Sequence, residues 1–267
     1  MSNIFNDLKK TDLIRNDYLA ESFDKIYFSS NENLKGICSN FNFYGKNILT
    51  VLSSGDQAFH LYNSGAQNID FFDMNKFTIY YYYLRVWIIK YKREFYPPVS
   101  INNAYIIDIL RLVEKNEDIN TEAYNFWYNF VKYYSDEPNA ITTMFKEKPI
   151  FSNNIDDLDQ IIESVSCDNV AFYNYDIAGE KKINKKYDVV YISNIPQWCY
   201  HRLEILTSNL IDLVNENGII IRANLRHGPG EYEKRIFRKK FIYTELPSIY
   251  SKRLDRDLSP GYYLRKK

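Results

Sequence analysis

Residues 47–75 read NILTVLSSGDQAFHLYNSGAQNIDFFDMN, and this stretch decides the fold. It opens on an apolar run, Asn47–Leu52, turns through Ser53-Ser54-Gly55, and enters a helical pattern over Asp56–Asn63 that Gly65 closes. A second apolar run, Asn68–Phe72, ends at Asp73, with Met74 and Asn75 beyond it. Strand, glycine turn, helix and strand form one βαβ unit. Glycine lets the backbone approach a ligand, and the helix N-terminus offers free N–H donors. Ser53, Gly55 and Asp56 are therefore candidate cofactor-binding residues. Asp73, with Met74 beside it, completes the set. A carboxylate about 20 residues past such a turn is placed to accept hydrogen bonds from ribose hydroxyls. Its plainer role is to cap the next helix, which Asn75 can do instead.

The nucleoside is not a dinucleotide. That fold wants Gly-x-Gly-x-x-Gly, whereas this chain has Gly55-x-Gln57-x-x-His60. A cofactor without phosphates tolerates the loss, and S-adenosylmethionine is one.

Outward from this unit, apolar runs recur at Asn169–Tyr173, Tyr187–Ile192 and Gly218–Arg222. They lack clean alternation, which suits a parallel sheet covered on both faces. Helical periodicity covers Asn75 to about Phe95, where Pro97-Pro98 stops it. It returns at Ala104–Lys115, Thr121–Tyr134, Asp156–Ser166 and His201–Asn215, the last ending near Gly218. Two closing strands are expected from Ile236–Pro247 and Gly261–Arg265. Strands alternating with helices predict an α/β, Rossmann-like architecture with a mostly parallel sheet. The whole chain, 1–267, reads as one domain, with an N-terminal helical segment over 1–45. A long helical insertion, about 75–168, separates strands two and three and forms a cap, since no Gly/Ser linker borders it.

Composition narrows the functional class. Lys+Arg and Asp+Glu both number 34, so no global field draws the chain to nucleic acid or anionic membrane. Cys38, Cys167 and Cys199 are scattered, which predicts neither a disulfide framework nor a metal site and suits a reducing cytoplasm. Phe77–Tyr91 is apolar but shorter than the ~20 residues of a membrane span and contains Arg85, so it reads as a core helix.

Ligands of open α/β sheets bind beyond the carboxyl ends of the strands. After strand four the chain reads Ser193-Asn194-Ile195-Pro196-Gln197-Trp198. Ser193, Asn194 and Trp198 suit a site that orients a sulfonium and excludes water. Trp198 equally suits a core position. Tyr200 and His201 follow as candidate bases. Asp176, after strand three, is placed either for the adenine amino group or as a loop acid. Arg222, at the end of strand five, is either a partner for a carboxylate or a surface cation.

The string 47–75 resembles the S-adenosylmethionine:diacylglycerol 3-amino-3-carboxypropyltransferase family of betaine-lipid synthesis. The likeness lies in the Ser-x-Gly-Asp-x-Ala turn, Asp73-x-Asn75, and Ser193-Asn194 with Trp198. It implies the class I methyltransferase fold, contact of Gly55 and Asp73 with S-adenosylmethionine, and a reaction site lined by Ser193, Asn194 and Trp198. It also implies aminocarboxypropyl transfer to a small-molecule or lipid acceptor. The class I pattern places an acid at Ser53 and glycines at Gln57 and Phe59, all absent here. Those positions border the methionine half of the cofactor. Their loss fits transfer of that half, and it also fits a non-catalytic protein that keeps the fold. Methyl transfer to a small molecule or nucleobase is the alternative chemistry. Asn194-Ile195-Pro196-Gln197-Trp198 has the residue types of a nucleobase methyltransferase but not its spacing, and Lys234–Lys240 reads as a solvated face.

Overall fold

The computed structural model describes residues 26–27, 30–96, 108–109, 111–112, 120–133, 145–146, 155, 158–165, 170–180, 183–224, 229–251 and 256–267. The chain divides into two compact units. One comprises 1–29, 53–55 and 75–148. The other comprises 30–52, 56–74 and 149–267.

The second unit is built on a seven-stranded sheet. Its strands in chain order are β1 (Asn47–Val51), β2 (Asn68–Asp73), β3 (Phe172–Asn174), β4 (Tyr187–Ser193), β5 (Val214–Ala223), β6 (Phe241–Glu245) and β7 (Gly261–Lys266). Their spatial order is β3-β2-β1-β4-β5-β7-β6. β1 runs parallel to β2 and β4, β2 to β3, and β4 to β5. Only β7 reverses, pairing antiparallel with β5 and β6. This is the Rossmann-like class I methyltransferase fold. The order reverses between β1 and β4, so the crevice at the carboxyl ends of those two strands is the switch point where such sheets take ligands.

The apolar runs fill the sheet because both faces are covered. Leu49, Val190, Ile192 and Ile220 are buried with Leu206 and Leu210 of a helix at Leu203–Leu213 and Phe237 of a helix at Glu231–Arg238. The helix α1 (Leu34–Cys38) is capped by Asn33, whose side chain takes the Gly36 N–H. The helix α2 (Asp56–Asn63) ends as expected at Gly65, φ +88°. There the N–H groups of Gly65 and Ala66 bond back to Tyr62 and Leu61.

Three expectations are corrected. Gly218 does not end a helix: the helix stops at Leu213, and Gly218 lies inside β5. A Cβ there would meet Val214 Cγ2 at 2.7 Å and the Asp188 carbonyl at 2.8 Å, so close strand packing is what requires glycine. The strand expected from Ile236 begins only at Phe241. Before it, Tyr232, Glu233, Ile236 and Phe237 share one face of the Glu231–Arg238 helix, which turns its charged face outward. The third strand is found at Phe172–Asn174, shifted toward the C-terminus of Asn169–Tyr173, and Asn169 itself lies outside the described residues.

The first unit is helical and aromatic. A helix at Thr78–Tyr91 packs on another at Thr121–Tyr133, with Phe126 stacked on Tyr80 at 4.6 Å and the Trp127 indole N–H donating to the Tyr80 carbonyl at 3.1 Å. The Asn75 side chain accepts the Phe77 N–H at 2.8 Å, one turn ahead of the helix it was expected to cap. Arg85, buried in that helix, donates to the Ser54 carbonyl at 2.6 Å and to Tyr96 at 3.1 Å. Most of Ala104–Lys115 lies outside the described residues, as does all of 1–25 in the expected N-terminal helical segment, where Ile26–Tyr27 is a short strand. Among the described residues no helix is long and apolar enough to cross a membrane.

Candidate functional site

At the end of β1, Ser53 has φ +48° and Gly55 φ +86°. At the end of β4, Ser193 has φ +54°. Left-handed backbone at a residue other than glycine costs on the order of 1–2 kcal/mol. A strained serine thus follows β1 by two residues and another ends β4, and such strain gathers at functional sites.

The switch point holds a buried acid that sequence reading overlooked. Glu32 is 1% exposed. Its carboxylate accepts from the hydroxyl of Ser193 and from that of Tyr191 at 2.6 Å, both on β4. Gln57, in the first turn of α2, turns its amide N–H toward Glu32 at 3.4 Å and toward Ser30 Oγ at 3.5 Å. The Ser30 N–H donates to Asp56 at 2.5 Å. Burial pushes the Glu32 carboxyl above its ordinary range, against hydrogen bonds from Ser193, Tyr191 and Gln57 and the charge of Arg222. The Gln57 carbonyl oxygen is buried with no hydrogen-bond partner. A buried acceptor left unmet costs about 1–3 kcal/mol, which a ligand donor would recover.

The remaining candidates separate into three groups. Asp73 ends β2 partly exposed, and Met74 beside it is 39% exposed. Asn174 of β3 fixes this turn, donating to the carbonyls of Asp73 at 3.0 Å and Met74 at 2.8 Å. The Asn194 side-chain oxygen lies 3.1 Å from the Ser193 hydroxyl and Asn194 is partly exposed, while Trp198, Tyr200 and His201 stand exposed beyond it. The exposure of Trp198, 57%, removes it from the core. Tyr200 lies against Tyr232, ring centres 4.7 Å apart.

Asp176 and Arg222 both sit in ion pairs. One Asp176 oxygen pairs with Arg202 and the other takes the Ala178 N–H at 2.9 Å. Arg222 is not a surface cation: it is 0% exposed and pairs with Glu233, which the Tyr262 hydroxyl also meets. Its guanidinium further donates to the Ala223 carbonyl and to Asn224.

No family model and no curated protein sequence matches the chain. Solved structures do resemble it. The N-methyltransferase NodS of Bradyrhizobium japonicum WM9, in complex with S-adenosyl-L-homocysteine, overlaps 99% of this chain and 100% of its own at 10% identity, TM-score 0.49. A TehB-like SAM-dependent methyltransferase of Corynebacterium glutamicum overlaps 99% and 97% at 11% identity, TM-score 0.44. The magnesium protoporphyrin IX methyltransferase of Synechocystis PCC 6803 overlaps 87% and 76% at 10% identity, TM-score 0.42. The fold assignment rests on the strand order, not on these overlaps.

Proposed function

We propose that this protein is a SAM-dependent transferase whose reaction is methyl transfer to a small-molecule or lipid acceptor. The observation that carries the reading is the β3-β2-β1-β4-β5-β7-β6 order with β7 reversed, β1 running into the Gly55 turn and β2 ending at Asp73. Bound S-adenosylmethionine supplies a carbon made electrophilic by the adjoining sulfonium. The residues present fit that group: Gly55 has the conformation of a cradle turn, and the unmet Gln57 oxygen awaits a donor.

Within this reading, Gly55 lets the backbone of the turn approach the cofactor, with Ser53 and Asp56 flanking it. Asp73 accepts from the ribose hydroxyls and Met74 packs beside the nucleoside. Ser193 and Asn194 orient the reacting group, while exposed Trp198 helps to shield it from water. Tyr200 and His201 are the candidate bases toward the acceptor. Asp176 and Arg222 take structural roles, because their charges are already paired.

Aminocarboxypropyl transfer is the second reading. Buried Gln57 and Phe59 stand where the class I pattern has glycines, so the surroundings of the methionine half differ from that pattern. The two chemistries leave different nucleosides. The test incubates the protein with S-adenosylmethionine and a cell extract, against a Gly55→Arg control, and reads nucleoside products by mass spectrometry. S-adenosylhomocysteine above control is the expected result. Methylthioadenosine in its place would move the assignment to the second reading.

A further inference from the structure

The acid that the class I pattern places at the end of β1 is absent, since Ser53 stands there. A different acid, Glu32, lies upstream in the chain and is buried at the carboxyl end of β4. Glu32 lies between β4, through Tyr191 and Ser193, and the first turn of α2, through Gln57. It therefore links the end of β4 to the first turn of α2, the helix that follows β1. Among the described residues, the side chains of Tyr191, Ser193 and Gln57 donate hydrogen bonds to it, and none brings a cation into direct contact. The Gln57 amide faces Glu32 through its N–H, and its carbonyl oxygen remains unmet although Gln57 is 1% exposed. Two buried acceptors on side chains in contact, one an acid, call for a compact cationic donor with several hydrogens.

We propose that Glu32 and Gln57 together bind the α-ammonium of the methionine half of S-adenosylmethionine, Glu32 standing in for the acid missing at Ser53. This rests on the cofactor reading above and adds two residues that the sequence motif does not contain. Burial opposes the charged form of Glu32, and an ammonium held against it would offset that cost. The same geometry explains why the glycine expected at position 57 is a glutamine: the side chain supplies the second acceptor.

The test compares two probes by calorimetry, S-adenosylhomocysteine, which carries the ammonium, and methylthioadenosine, which lacks it. Each is titrated into wild type, Glu32→Gln and Gln57→Met, with thermal melts to establish folding. Glu32→Gln is expected to weaken S-adenosylhomocysteine about tenfold or more and to leave methylthioadenosine within about threefold. Gln57→Met is expected to do the same more weakly. Equal losses for both probes, or no loss, would overturn the assignment while leaving the cofactor reading intact. If wild type binds neither probe, the cofactor reading fails and this one with it. Should Glu32→Gln not fold, wild type titrated with des-amino S-adenosylhomocysteine decides. A loss of about tenfold relative to the parent supports ammonium recognition, and equal affinity overturns it.

Discussion

The Tyr191 hydroxyl donates a 2.6 Å hydrogen bond to the carboxylate of Glu32, 159 positions earlier in the chain. The bond ties the segment that leads into α1 to the end of the central strand β4. It makes Glu32 both a fastening of the fold and a group whose charge depends on the crevice around it.

That dependence has a sign. Burial raises the folded-state value of Glu32 above the ordinary 4.5, so its contribution to stability is complete below that pH. As the pH rises, the unfolded chain loses the proton first, and stability falls by up to about 1.4 kcal/mol per pH unit until the folded state also ionises. Among the described residues, the groups facing Glu32 are Tyr191, Ser193 and Gln57 in contact, with Arg222 and Cys38 acting through space. Urea unfolding from pH 4 to pH 8 should show wild type losing stability relative to Glu32→Gln. A pH-independent difference would show that Glu32 is ionised in the folded chain.

Two glycines in the sheet should resist substitution for steric reasons. A Cβ on Gly261 would lie 2.3 Å from the Arg222 carbonyl, and one on Gly218 would lie 2.8 Å from that of Asp188. Both obstacles are backbone and cannot swing aside. Gly218→Ala should cost about 1–3 kcal/mol and Gly261→Ala at least as much. Gly230→Ala, with nothing within 4 Å, should cost far less. Chemical denaturation of the three variants checks the order.

Arg222, on β5, and Glu233, on the Glu231–Arg238 helix, form a buried pair, with side chains 0% and 4% exposed. Removing one partner leaves an uncompensated charge, so Glu233→Gln should lose about 3–5 kcal/mol. Replacing both by apolar residues of similar size should lose less. If Arg222 instead served a ligand, Arg222→Met would weaken S-adenosylmethionine binding with little change in the melting temperature.

The βαβ unit at 47–73 was legible because each local signal agrees with the tertiary structure: apolar strands, a positive-φ glycine and a helix closed by Gly65. The Glu231–Arg238 helix was not, because it carries only Tyr232, Ile236 and Phe237 as apolar residues among charges, and those three coincide with a weak strand pattern. Gly218 misled for a related reason. A glycine after a helical pattern reads as a stop, and its real constraint comes from Asp188 on a neighbouring strand. Glu32 was invisible in principle. A lone acid before the Asn33 cap reads as solvated, and only the closure of the sheet brings Tyr191 and Ser193 to it.

The central claim is that the crevice at the ends of β1 and β4 takes S-adenosylmethionine. Titrating the wild-type protein with S-adenosylmethionine by calorimetry tests it directly, with Asp73→Ala alongside. Saturable one-to-one binding is expected, with a dissociation constant between about 1 μM and 1 mM, the span of enzyme substrates. Asp73→Ala should bind about tenfold more weakly, from the loss of ribose hydrogen bonds to a carboxylate. A folded wild-type protein that shows no binding at millimolar ligand would contradict it.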